Sequence, residues 1–217
     1  MKQDIPIVER ILSANDQIAE INRALLRQHK VHAVNIMAAP GAGKTSLIIQ
    51  AIRGLRGVLN IAVIEGDVAS DVDAVRVRQE GVPVIQINTG GGCHLDANQV
   101  GGALSQLPLD DIDLLFIENV GNLICPVGFD LGEQTRLAIA SVPEGDDKPW
   151  KYPSIFYSVD VLVISKTDLL PYIPFNLEEY RRLVRSIKPD IRLFEVSIIN
   201  GEGLDVWLEW LKTLPSR

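Results

Sequence analysis

Cysteine is nearly absent: Cys93 and Cys125 are the only two in 217 residues. Two thiols make no disulfide framework, and at 47% hydrophobic the chain has core enough to fold without one. Histidine is almost as scarce, at three residues. There is no surplus of positive charge. Lys and Arg number 21 against 28 Asp and Glu, a net −7, which argues against a general nucleic-acid or anionic-membrane binder. No apolar run approaches the ~18 residues that a membrane span needs. Lys2, Asp4 and Glu9 are followed by no apolar stretch of the secretory kind. Internal repeats and low-complexity tracts are absent too. The expected setting is a reducing cytoplasm, where thiols stay free to bind metal, with neither nucleic acid nor membrane as partner.

What is present is a regular alternation of patterns. Ile7, Ile11, Ile18, Ile21 and Leu25 recur at helical spacing, with Glu9, Arg10, Asn15, Asp16, Glu20 and Asn22 between them. This predicts an amphipathic N-terminal helix over residues 5–28, with a break near Ser13. Strand-like runs then follow: VHAVNIMA, LNIAVIE, PVIQIN, DLLFIEN, RLAIASV, DVLVIS and IRLFEVS. The stretches DVDAVRVRQE, LDANQVGGALSQL, LEEYRRLVRSI and LDVWLEWLK read as helices. The pattern predicts an α/β fold, a mostly parallel sheet with helices on both faces. Residues 1–217 read as one nucleotide-binding domain, with 1–30 as a helical extension packed on it. VPEGDDKPWKYP, residues 142–153, reads as a solvated surface loop or, from its place between two strands, as a switch segment.

The segment APGAGKTS, residues 39–46, lies between an expected strand and an apolar helix. That context defines a P-loop. Gly41, Ala42 and Gly43 allow backbone N–H groups to curl around phosphate, and a helix N-terminus favours the anion. Lys44 is placed to reach the β- and γ-phosphates, Thr45 to ligate Mg²⁺, and Ser46 to close the loop. The usual first glycine is Ala38 here, which tightens the loop entrance. SKTD, residues 165–168, stands where P-loop GTPases carry N-K-x-D. The Asp168 carboxylate accepts two hydrogen bonds from guanine, which adenine does not offer. The Lys166 stem would stack along the base, and Ser197, opening SIINGEG, would add backbone contacts. GTP is therefore the expected nucleotide. Asp67 of EGD and Glu118 of ENVGN are assigned to Mg²⁺, so that Lys44, Asp67 and Glu118 form the expected catalytic set. No glutamine is placed to orient water, so turnover should be slow.

Cys93–His94 lies just past PVIQIN, and Cys125 just past DLLFIEN. Both should leave one parallel sheet at its carboxyl edge, where open α/β folds bind ligands. Two thiolates and an imidazole are a soft set suited to Zn²⁺ or Ni²⁺. Three ligands are one short of a closed tetrahedron, which suits an exchangeable ion, or one completed by water or a second subunit. The bland alternative is a small core cysteine and a solvated histidine.

TGGGCHLDANQV, LLFIENVGNLICPVGFDLGE, EGDDKPWKYP and NDQIAEINRALL together resemble the HypB family, the hydrogenase nickel-incorporation GTPases of the SIMIBI class. The likeness runs nearly end to end. It implies a GTP-hydrolysing metallochaperone that helps deliver nickel to [NiFe]-hydrogenase. It also implies a homodimer promoted by GTP, with Cys93, His94 and Cys125 as metal ligands at or near the interface. A hydrogenase precursor and accessory maturation proteins are the implied partners. Lys148 or Lys151 is implied to lie near nucleotide across the dimer. The chain shows neither the N-terminal cysteine motif nor the histidine-rich stretch of many members. Gly91 stands where lysine is frequent, and Ser165 where asparagine is usual. The urease accessory GTPases share the logic, but their Cys-x-His motif differs from the adjacent pair here. A competing reading is a nucleotide-gated scaffold holding structural zinc. A small-molecule kinase is disfavoured, because the arginines of YRRLVRS read as a solvated helix face.

Overall fold

The computed structural model describes residues 7–214, with side chains from Leu12 onward. Its centre is β1 (His32–Ala38), an apolar run buried along nearly its whole length, as a strand covered on both faces requires. Around it lie β2 (Ile61–Asp67), β3 (Val84–Asn88), β4 (Leu114–Glu118), β5 (Thr135–Ser141), β6 (Val161–Ser165) and β7 (Arg192–Val196). The sheet order is β3-β2-β4-β1-β5-β6-β7, and every pairing is parallel. All strands therefore end at one edge.

Helices cover both faces. On one side α2 (Lys44–Gly54) and α8 (Leu204–Lys212) bury Leu47, Ile48, Trp207 and Leu211 against Val34, Ile36, Val63 and Phe116. On the other, α1 (Ile7–Gln28) and α4 (Ala97–Leu104) cover β2 and β4 through Leu26, Val100 and Leu104. Beside them α6 (Pro153–Ser158) and α7 (Leu177–Ile187) cover β5 and β6 through Phe156, Tyr180 and Val184. The remaining helices are the short α3 (Val72–Arg78) and α5 (Lys148–Lys151). Among the described residues no helix is long and apolar enough to cross a membrane.

Three expectations need correction. First, α1 runs without a break through Ser13; residues 5 and 6 of the expected helix, like the rest of 1–6, lie outside the described residues. Second, among the described side chains the buried face of α1 does not follow the isoleucine stripe; those of Ile7 and Ile11 lie outside them. Ile21 is 67% exposed, while Asn15 and Asn22 are buried. Asn22 Nδ2 donates to the carbonyls of Ala97 (2.8 Å) and Leu131 (3.0 Å), and Asn15 Nδ2 to that of Asp130 (2.8 Å). These amides satisfy backbone groups of the loops they cover, which an apolar side chain cannot do. Third, residues 142–153 are not a plain surface loop. They form a 3-10 turn capped by Ser141 and Glu144, then α5, with Val142 and Pro149 buried.

Candidate nucleotide and metal site

β1 runs directly into the glycine loop, and α2 begins at Lys44. Gly43 caps that helix at φ 104°, in the left-handed region where only glycine is unstrained. Ala38 is the last residue of β1, and its methyl sits wholly inside the core beneath α2. The departure from glycine is thus absorbed by packing. Ser46 sits in the first turn of α2 at the tail of the loop.

A second turn is tied to this loop. Ser165 Oγ donates to the Ala42 carbonyl at 2.8 Å, and Lys166 Nζ to the Gly41 carbonyl at 2.7 Å. Lys166 itself takes a left-handed φ of 62°. Ser197, fully buried, donates from Oγ to Asp168 Oδ1 at 2.6 Å, which orients that carboxylate. The structure thus brings Gly41, Ala42, Lys166, Asp168 and Ser197 to one end of the sheet, and it joins the two loops through side-chain donors of the one and backbone carbonyls of the other.

The acids are arranged differently from expectation. Thr45 Oγ1 donates to Glu118 Oε1 at 2.8 Å. Asp67 does not join them. Its Oδ1 accepts the N–H groups of Ala69 (2.9 Å) and Ser70 (2.7 Å), and these bonds hold the carboxyl below its ordinary pKa. The partner of Glu118 is Glu65. The two are register partners on β2 and β4, both buried, and their oxygens lie with one from Asp73 within 4.8 Å of one another. Burial, then the Glu118 charge, pushes Glu65 up to about 8; burial raises Glu118 to about 7 against the opposing charge of Lys44. Sequence reasoning passed over Glu65, yet a signal existed. In a strand, residues two apart share a face. Glu65 continues the row of Ile61 and Val63, and Glu118 the row of Leu114 and Phe116, all of one core cluster.

The second ligand set assembles over β2. β3 and β4 are not neighbours, since β2 lies between them. The loop after β3 must therefore cross the end of β2. Gly66 permits this, because a Cβ there would lie 2.7 Å from the Leu95 side chain. Leu95 N–H then donates to Asn119 Oδ1 at 3.0 Å, pinning the loop to the segment after β4. On that segment Asn122 Oδ1 accepts the N–H groups of Ile124 (2.8 Å) and Cys125 (3.2 Å). The outcome is that ligand atoms of Cys93, His94 and Cys125 all lie within 4.8 Å of one another. The His94 ring lies against Phe129 at a centroid distance of 3.8 Å. Burial lowers the His94 pKa, against the nearby Asp96 charge, a shift that favours the neutral form of the imidazole, the form that ligates metal. The Cys125 side chain, hydrogen-bonded to Cys93, raises the Cys93 thiol pKa. Cys93 is exposed and Cys125 half-buried.

Lys148 and Lys151 lie on α5, apart from these clusters in their contacts. Lys151 pairs with Asp147, and Lys148 Nζ sits 5.2 Å from the centre of the Tyr152 ring.

A buried parallel strand that turns through left-handed glycines into a helix, with the turn after β6 tied to the loop, defines a P-loop nucleotide-binding protein. Its relatives are more particular. Residues 32–195 match the CobW/HypB/UreG nucleotide-binding domain family. The hydrogenase maturation factor HypB of Escherichia coli K12 is 46% identical over 203 residues, covering 94% of this chain and 70% of that one. The crystal structure of hydrogenase maturation factor HypB from Archaeoglobus fulgidus superposes with a TM-score of 0.87 at 42% identity, over 92% of this chain and 98% of that one. HypB from Helicobacter pylori in complex with nickel superposes at 0.88 with 33% identity, over 94% and 98%. The chain belongs to the HypB family.

Proposed function

We propose that this chain is a GTP-hydrolysing nickel metallochaperone acting in the maturation of [NiFe]-hydrogenase in the cytoplasm. The observation that carries this reading is the placement of Cys93, His94 and Cys125 within 4.8 Å on loops of the nucleotide edge. Relatives at 46% identity carry the name hydrogenase maturation factor, and a similar structure holds nickel. Ni²⁺ is the cargo, taken by two sulfurs and a neutral imidazole; the same donors suit Zn²⁺. The fourth position is left to water or to a second copy of the chain. Ile124, beside Cys125 and 62% exposed, suits a GTP-promoted homodimer there. Lys148 and Lys151, on a partner subunit, are the cations proposed to approach its nucleotide.

Within one subunit Gly41, Ala42, Gly43, Lys44 and Ser46 bind the phosphates, and Lys166, Asp168 and Ser197 read guanine. The residues fit Mg²⁺: Glu118 keeps one buried oxygen, Oε2, with no hydrogen-bond partner among the described residues, and Thr45 lies beside its other oxygen. Thr45 and Glu118 would hold the ion, which when bound offsets charge on the phosphates. Lys44 supplies the chain's own positive charge there. Glu118 and Cys125 share one segment, so its conformation can link nucleotide state to metal affinity. A hydrogenase precursor and accessory maturation proteins are the proposed partners.

The test is a pair of measurements. Lys44→Ala should abolish GTP hydrolysis in a folded protein, and the nickel-loaded wild type should pass its ion to an apo-hydrogenase precursor. Normal turnover in that variant would remove the phosphate assignment. A precursor that gains no nickel would leave a nucleotide-gated scaffold.

A further inference from the structure

Asn119 is wholly buried, yet its amide serves the loops at the end of the sheet. Its Oδ1 accepts two backbone N–H groups, those of Leu95 and Val120, each at 3.0 Å. Leu95 directly follows His94, and Val120 opens the segment that reaches Cys125. One oxygen atom therefore holds a residue from each ligand-bearing loop. These loops leave β3 and β4, which are not neighbours, so no ladder hydrogen bond joins their strands.

The amide has one orientation open to it. Asn119 Nδ2 donates to Asn35 Oδ1 at 3.2 Å, and Asn35 Nδ2 donates to Glu133 Oε1 at 3.1 Å. Glu133 Oε1 also takes Arg136 Nε at 2.7 Å, and its Oε2 takes the Leu131 N–H at 2.7 Å. A carboxylate paired in this way only accepts, so Asn35 turns its nitrogen to Glu133 and its oxygen to Asn119. Asn119 must then aim its own oxygen at the two N–H groups. Asn35 is wholly buried and Glu133 is 6% exposed, so water does not compete along this chain of bonds. Successive residues also point to opposite faces of a sheet. Glu118 meets Thr45 on one face, and Asn119 meets Asn35 on the other.

We infer that Asn119 is a positioning residue of the metal site. Its amide, aimed by Asn35 and Glu133, holds the Cys93–His94 loop and the Cys125 loop at the separation one ion needs. The inference deepens the metal reading and rests on it. A buried amide can also serve only to satisfy core backbone, and two variants tell these roles apart. Asn119→Ala strands the N–H groups of Leu95 and Val120. Asn119→Asp keeps an acceptor for both and disturbs the core instead, by setting an oxygen against Asn35 Oδ1.

Ni²⁺ is the probe, in equilibrium dialysis with the full chain free of nucleotide, alongside thermal melts of the metal-free proteins. Asn119→Ala should bind Ni²⁺ about tenfold or more weakly, as loss of a ligand-orienting group does. Asn119→Asp should melt below the wild type yet keep Ni²⁺ affinity close to it. A loss in Asn119→Asp as great as in Asn119→Ala, or no loss in folded Asn119→Ala, overturns the inference. Amide hydrogen exchange in the wild type needs no variant and serves where neither folds. The Leu95 and Val120 N–H groups should both be protected without metal, and Ni²⁺ should slow both further. Fast exchange at either one, or slowing of only one, refutes the shared anchor. Cys125→Ser, dialysed beside them, separates the two readings. If it loses Ni²⁺ while Asn119→Ala does not, the role of Asn119 alone falls. If it binds as the wild type does, the metal reading itself falls.

Discussion

Ser165 Oγ donates a 2.8 Å hydrogen bond to the carbonyl oxygen of Ala42, across 123 residues of chain. The serine that departs from the usual asparagine thus still joins the turn proposed to bind the base to the glycine loop. Its bond is buried, so losing it leaves an unpaired carbonyl.

Ser165→Ala should weaken GTP and GDP alike by about fivefold, the equivalent of one neutral hydrogen bond. Ser165→Asn, which keeps a donor, should bind at least as well as the wild type. Titration with a fluorescent guanine nucleotide measures both. Equal affinity in the alanine variant would mean that the bond does not support the site.

Asp168 accepts the Ser197 hydroxyl at 2.6 Å through Oδ1, and its other oxygen is the one proposed to read the base. Asp168→Asn with its oxygen still on Ser197 would turn an amide N–H toward the base. That should cost about tenfold to a hundredfold in GTP affinity and raise affinity for xanthosine triphosphate, which offers an acceptor there. Competition between the two nucleotides reads the exchange. Unaltered selectivity would dismiss Asp168 as the base reader.

Cys125→Ser should lower Ni²⁺ affinity by about tenfold or more in equilibrium dialysis. His94→Ala should do the same, because its ring is held in place by Phe129. Wild-type dialysis curves in either folded variant would show that these three side chains do not share an ion.

Asp130 ties α1 to the segment that follows Cys125. Burial alone would raise its pKa. The Gly132 N–H, donating at 2.8 Å, and the Arg23 guanidinium outweigh burial and hold it below the usual carboxylate range. A depressed folded pKa means stability that is present at neutral pH and is lost as pH falls through that value. Asp130→Asn should therefore melt below the wild type at pH 7, and the gap should narrow below about pH 4. Thermal melts across that range check the sign; a gap that widens in acid would contradict it.

Much was legible without coordinates. Strands and helices each carry their own period, and the phosphate loop, the SKTD turn and the Cys-His pair are contiguous motifs whose chemistry is local. So the sheet type, the loop built on Gly43 and Lys44, and the candidate soft ligands were all available from spacing. What spacing does not carry is register between strands that meet across long separations. That register set Glu65, not Asp67, beside Glu118. It also put β2 between the strands whose loops bear the thiols, so that Gly66 had to admit Leu95 before the ligands met. The face of α1 was decided the same way. Asn15 and Asn22 are buried because loop carbonyls far along the chain need donors there, and Ile21 is left outside. Local preference determined what each segment is. Which side chains meet was decided by long-range packing, because pairing and desolvation depend on neighbours that only the assembled sheet supplies.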